Sequence, residues 1–179
     1  MNNKFILATA LSAFVFTGLV SASGVSGSGT LGVTANIQGS ILVTFTQATG
    51  GLALGGTASA ATWTFGTVEM YGAAPTTGLT RNLNNGITSF DLTTPVNIEV
   101  DMANTGSPTY LLAAWLTSAD TYHAWTFNSV VLGATSATVD AAGTYGQANS
   151  YPFILTVPAA SSGASNTVSN TINFTATAN

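Results

Sequence analysis

Few side chains in this sequence could do chemistry, and they stand far apart. The one histidine is His123, between Tyr122 and Ala124 and two residues before Trp125. An imidazole can act as a base or bind a metal, but metal sites draw on several converging His, Cys or carboxylate groups. His123 has no second histidine and no cysteine to join it, so it reads as a structural or surface residue beside a turn. Glu99 and Asp101 lie two apart in NIEVDM and therefore share one face of a strand. Such a pair could serve acid–base chemistry or hold calcium; on a polar strand face it reads first as a solvated stripe. Aromatic residues at Tyr110, Tyr122 and Trp125 could stack on sugars if exposed, or fill the core if not. No G-x-S-x-G, H-E-x-x-H or phosphate-loop pattern is present, and the glycine-rich ATGGLALGG at 48–56 lacks the lysine a phosphate loop requires. The expectation is a protein that is not an enzyme, with no catalytic residue, no metal and no cofactor.

The composition points the same way. Only 4% of residues are charged while 46% are hydrophobic, against about 25% charged in ordinary soluble domains. Thr, Ser, Ala, Gly and Asn stand where a surface would usually carry charge. Residues 1–22 place Lys4 before an apolar run from Phe5 to about Val20 and end on the small-residue stretch VSA, which reads as a secretory signal peptide. Cleavage there leaves 157 of the 179 residues, with Arg81 as the sole Lys or Arg against six carboxylates. A chain with one cation cannot displace the counterions of a nucleic acid, and anionic membranes are disfavoured for the same reason. We expect no membrane insertion of the mature chain.

The elements that would position any site are strands. Apolar residues alternate or run continuously in short segments bounded by Gly, Pro, Asn and Ser, and no window of helical length carries a 3.6-residue period. TWTFGTVEMYG reads as a strand with a bulge at Gly66. ITSFDLTTPVNIEVDM and TYLLAAWLT read as strands, the latter buried on both sides. HAWTFNSVVL, YPFILTV and NTVSNTINFTATA follow, with ATVDAAGTYGQANS as mostly connection. That gives about eight or nine strands, the spacing of an all-β sandwich, in one domain over 39–179. Asn173-Phe174-Thr175 forms a glycosylation sequon within the last strand, where it reads as chance.

One segment exceeds what such a domain needs. Every odd position from 31 to 45 is apolar or glycine. Fifteen extended residues would span about 50 Å. Gly39 divides the pattern into two strands in series, one over roughly 25–37 and one over roughly 40–47. The first, within an N-terminal extension over 23–38, has no evident partner in its own fold. An unpaired alternating strand is an aggregation hazard unless it serves another copy. Leu31, Val33, Ala35 and Ile37 would then fill pockets in a neighbour whose closing strand, carrying Ile172, Phe174 and Ala176, lines a groove left by a missing strand. Three large apolar residues and an alanine supply roughly 5–10 kcal/mol of gross burial at about 1.5–3 kcal/mol per large side chain. A head-to-tail contact of this kind builds an open filament.

VTANIQGSILVTFTQ resembles the N-terminal segment of chaperone–usher pilins, especially the cysteine-free alpha-type major pilins of colonisation-factor fimbriae. Val33-Thr34-Ala35-Asn36-Ile37 matches their Val-Thr-Ala-x-Val/Ile donor pattern, and TVSNTINFTATAN is similar to their closing strand. Gln38-Gly39 stands where the family usually has a proline, and Ala178 where classical members carry a tyrosine. The resemblance implies an incomplete immunoglobulin-like sandwich completed by a neighbour's donor strand. It further implies a periplasmic chaperone and an outer-membrane usher as partners, and display in a cell-surface fimbria that supports adhesion. Two other readings use the same residues: a secreted β-sandwich module binding carbohydrate or calcium, and a different self-assembling surface-layer or biofilm fibre protein.

Overall fold

The structure is a computed structural model that describes residues 32, 34–36, 38–84, 88–159 and 167–179. The chain divides into two units, 1–35 and 36–179. Of the first, Gly32, Thr34 and Ala35 are described; they are exposed and outside any strand. The expected leader over 1–22 and the expected donor positions Leu31 and Val33, and Ile37 at the start of the second unit, lie outside the described residues.

The second unit is all-β, with no helix among the described residues. Its scaffold is β5 (Ser89–Ala103), a fifteen-residue strand whose even positions from Phe90 to Val100 are all buried while odd ones are half-exposed. β10 (Ala148–Pro158) pairs along one edge of β5, from Ser89 to Glu99. The other edge is shared by β1 (Ser40–Gln47), opposite Val96–Ala103, and β4 (Thr80–Leu83), opposite Phe90–Thr93. β7 (Ala124–Phe127) and β8 (Val130–Leu132) extend the sheet beyond β10. The second sheet has the order β11–β6–β9, from Ile172–Ala178, Thr109–Leu116 and Ala137–Thr144. Ile98, Val100, Phe127 and Phe153 of the first sheet and Tyr110, Leu112, Ala114 and Leu116 of the second form one apolar core, the packing of a β-sandwich.

Pro95 explains the shared edge. The N–H of Phe45 points away from β5, to the carbonyl oxygen of Ala58 at 2.7 Å, so the even residues of β1 bond β5. Their partners are the odd residues of β5, because hydrogen bonding alternates along an antiparallel ladder. Pro95 is odd and has no N–H to give. It falls between the end of β1 and the start of β4, where no ladder bond is needed. The chain leaves the sheet here. Gly50, at φ 75°, turns it, and Gly51 lies so close that a Cβ on it would sit 2.5 Å from the Pro95 oxygen. Leu52 then donates its N–H to the buried Thr94 hydroxyl at 2.8 Å.

The 48–79 excursion differs from expectation. β2 (Gly55–Thr57) and β3 (Ala60–Thr62) make a small hairpin, but residues 63–79 form no strand. Gly66 is not a bulge in a ladder; it sits at φ 70° in irregular chain. Three further readings are corrected. β6 alternates buried and half-exposed rather than being buried on both faces, because nothing in the described residues layers over its outer side. The stretch taken as connection is β9 and the start of β10; Gly143 weakens its strand signal, yet glycine is required because the Tyr110 ring occupies the space a Cβ would take. Eleven strands are present among the described residues rather than eight or nine, five of them only three or four residues long. Ser40–Gln47 coincides with the second of the two strands expected from the opening alternation.

Phe153 holds the centre. Its ring packs against Trp63, Phe65 and Trp125 at centroid distances of 5.2, 6.1 and 6.0 Å. Phe153→Ala should lower unfolding stability by about 3–5 kcal/mol, read as a reduced urea midpoint. Thr44→Ala on the outer face should stay within about 0.5 kcal/mol. Equal effects would show that the core does not run through Phe153.

Candidate functional site

The two sheets are joined unequally. On one side the chain crosses directly from β8 to β9, and Leu116 N–H bonds the Gly133 oxygen at 2.7 Å, so that side is tied shut. On the other side β1 and β11 face each other without pairing. The outward peptide groups of β1 belong to its odd residues, by the Phe45 argument above. On β11 the pattern is opposite: Asn179 N–H bonds Thr109 O, and Thr117 N–H bonds Thr171 O. Odd residues of β11 therefore serve β6, and Ile172, Phe174 and Ala176 turn their peptide groups away from it. The side chains of these same residues, like those of Ile41, Val43 and Phe45, pack against the core. Each edge thus offers main-chain partners and apolar side chains from one set of residues.

Between them lies an open cleft of about 1740 Å³, larger than small-molecule pockets of about 300–1,000 Å³. Val43 and Phe45 form one wall and Ile172 and Phe174 the other, with Phe90, Leu92, Trp125, Phe127, Phe153 and Leu155 on the floor. The 59–70 stretch also lines it. At one point the walls meet. The rings of Phe45 and Phe174 are 5.2 Å apart, and Phe174 stands edge-on to Phe127 at 5.0 Å. Cα atoms of β1 and β11 approach within 8 Å. Two strands flanking a third would stand about 9.6 Å apart, so the cleft is partly closed.

A polar corner borders the cleft. Asp120 accepts the N–H groups of Tyr122 and His123 on Oδ1 at 2.9 and 3.0 Å, and the Trp125 indole and His123 Nδ1 on Oδ2 at 2.9 Å each. Burial pushes its carboxyl up, but the hydrogen bonds from Trp125, from the His123 and Tyr122 backbones and from the His123 ring outweigh this and hold it well below the usual carboxylate range. His123 is buried, and its backbone N–H and Nδ1 both meet Asp120 in the turn before β7. Its ring and the Trp125 ring both reach the cleft.

The other singled-out residues are dispersed. Ile172, Phe174 and Ala176 lie along β11, half-buried; of the donor positions, Ala35 alone is described, exposed. Glu99 and Asp101 stand opposite Thr44 and Leu42 on the outer face of the β1–β5 pair, and among the described residues no third His or carboxylate joins them in a metal-holding group. Tyr110 and Trp125 are core aromatics, whereas Tyr122 is 49% exposed. Asn173 of the sequon donates to the Thr117 hydroxyl. Reading the sequence missed Phe45 and Phe153 as cleft residues. Alternation marks both as inward-facing, but nothing local tells a groove floor from a closed core. No protein-family model and no curated protein matches the chain.

Asp120 carries a pH dependence. A carboxyl depressed on folding contributes stability that is present above its unfolded pKa, about 3.9, and is lost as pH falls below it. Urea midpoints of the wild type should therefore drop between pH 5 and pH 2.5. Asp120→Asn should be less stable at pH 7 and show a flatter acid profile. Parallel profiles for the two proteins would remove Asp120 as the cause.

Proposed function

We propose that this chain is a structural subunit of an extracellular filament, in which residues 31–37 of one copy lie as a strand in the β1–β11 cleft of the next. The observation that supports this most is the double edge: odd residues of β1 and even residues of β11 turn main-chain groups that serve no neighbouring strand toward one cleft with an apolar floor. A single added strand would meet hydrogen-bonding partners on both sides and a hydrophobic floor beneath, the requirements of β-strand addition. Leu31, Val33, Ala35 and Ile37 have the period of two that places one side chain after another on such a floor. The contact joins two different surfaces, so it propagates rather than closing. On this reading the chain is a pilin of the chaperone–usher type, exported through its 1–22 leader, handled by a periplasmic chaperone and an outer-membrane usher, and displayed on the cell surface where the filament supports adhesion.

The chemistry of the mature chain also fits a passive building block. With Arg81 as its sole basic side chain beyond the leader, ion pairs between subunits can be few. Burial and strand pairing would hold the filament, and salt has little to screen. Filaments are expected to keep their length between low and high sodium chloride at neutral pH, as seen by negative-stain microscopy; dissociation in salt would contradict an apolar joint.

Val33→Asp should abolish surface filaments while leaving the subunit's own sandwich folded. The aspartate would enter a neighbour's cleft without a cation to pair with, at a cost of several kcal/mol, comparable to the whole gross burial of the donor strand. Thr34→Asp, one residue away on the opposite phase, should be tolerated because it faces solvent. Both variants would be expressed with their export machinery and scored for filaments by microscopy, with circular dichroism reporting the fold. Equal tolerance, or the reverse order, would overturn the donor-strand reading of this segment.

A further inference from the structure

One side of the cleft is lined by an irregular segment of its own chain. We propose that residues 58–73 form a strap that lies along the cleft in the lone subunit and obstructs a donated strand, that Arg81 latches it, and that an incoming strand displaces it; this rests on the strand-donation reading above. The strap competes for the same features a donated strand would use. Ala58 accepts the Phe45 N–H at 2.7 Å, one of the outward donors of β1. Trp63 and Phe65 seat on Phe153 in the cleft floor, at 5.2 and 6.1 Å.

It is an incomplete imitation of a strand. Trp63 and Phe65 keep a strand's spacing of two, but Gly66 at φ 70° breaks the run, and Val68 and Met70 resume in the opposite phase. All four are only partly buried. Residues 63–79 belong to no ladder, and the Trp63 indole nitrogen is buried without a hydrogen-bond partner among the described residues, an arrangement that disfavours the strap relative to a paired strand. Four alternating apolar residues with continuous main-chain pairing would exceed what this segment supplies.

What keeps the strap in place is one side chain. Arg81, on β4, spends its guanidinium on three strap carbonyls: Glu69, Ala73 at 2.9 Å and Gly72 at 3.0 Å. A planar, always-charged fork suits several fixed acceptors at once. It joins the far end of the strap to β5, through the Arg81–Leu92 pairing of β4. The sole Lys or Arg beyond residue 22 thus serves no carboxylate in the structure; it holds this segment over the cleft.

The test uses the exported subunit carrying Val33→Asp, which cannot donate its own strand, and a synthetic peptide of residues 25–39 labelled for fluorescence anisotropy. Peptide insertion should red-shift tryptophan emission as Trp63 leaves Phe153, and Trp63→Phe should bind peptide without that shift. Arg81→Gln should associate about tenfold faster, as expected for losing one set of charged hydrogen bonds, and Arg81→Lys should fall between. Peptide binding with unchanged emission and equal rates in all variants would overturn the strap while leaving strand donation intact. Binding by none of the proteins would overturn strand donation, and the strap with it. The emission readout does not depend on Arg81 and decides the matter should the Arg81 variants fail to fold.

Discussion

Six strands present more apolar face than three can cover, and the rest of this molecule follows from that mismatch. The inner face of the β1–β5–β10–β7–β8 sheet, with β4 at its edge, carries Phe90, Leu92, Phe127, Phe153 and Leu155. The β11–β6–β9 sheet shields only part of it. An exposed strip of large side chains is unfavourable at about 25 cal/mol per Å² of apolar area, so something must lie over it. In the lone chain the cover is irregular: a short hairpin, two aromatic rings and a loop held by one arginine. Such cover buries area but joins neither flanking strand edge in a ladder; its one main-chain bond to β1 is Phe45 N–H to the Ala58 oxygen.

Those edges are why the uncovered strip differs from an ordinary ligand pocket. A small molecule can fill volume, but it cannot pair the outward peptide groups of Ile41, Val43 and Phe45 on one wall and of Ile172, Phe174 and Ala176 on the other. Unpaired strand edges invite another strand, and the cleft's two walls restrict the invitation to one. The proposed filament joint and the proposed strap are two answers to the same deficit. They differ in how much main-chain hydrogen bonding accompanies the apolar burial.

Polar groups in the second unit are used as fasteners. Asp120 gathers four donors at the turn before β7, and Tyr151 donates to Asp140 at 2.6 Å; burial first, and then that bond, raise the Tyr151 phenol far above its ordinary range. Arg81 ties a loop. Ser107 and Asn179 bond each other, and the Asn179 side chain reaches the Ala141 oxygen at 3.0 Å, pinning the end of β11 against β6 and β9. With no cysteine in the sequence to cross-link them, turns and strand ends are held by hydrogen bonds.

Much of this was legible in the residues before any coordinates. Period-two alternation located Ser40–Gln47, β5 and β11, because a half-buried strand must alternate, and Gly39 marked where β1 begins. The segments misread are those where neighbours overrule local preference. TWTFG alternates like a strand but joins no ladder: its two rings pack on Phe153 and the run breaks at Gly66, at φ 70°. β9 looks like connection because Gly143 yields its side-chain space to the Tyr110 ring. That Pro95 lies within a central strand is decided by which edge its missing N–H faces, a matter of register between β1, β4 and β5. The cleft is likewise a tertiary fact: each strand bordering it reads as ordinary, and only the difference in width between two packed sheets leaves the space open.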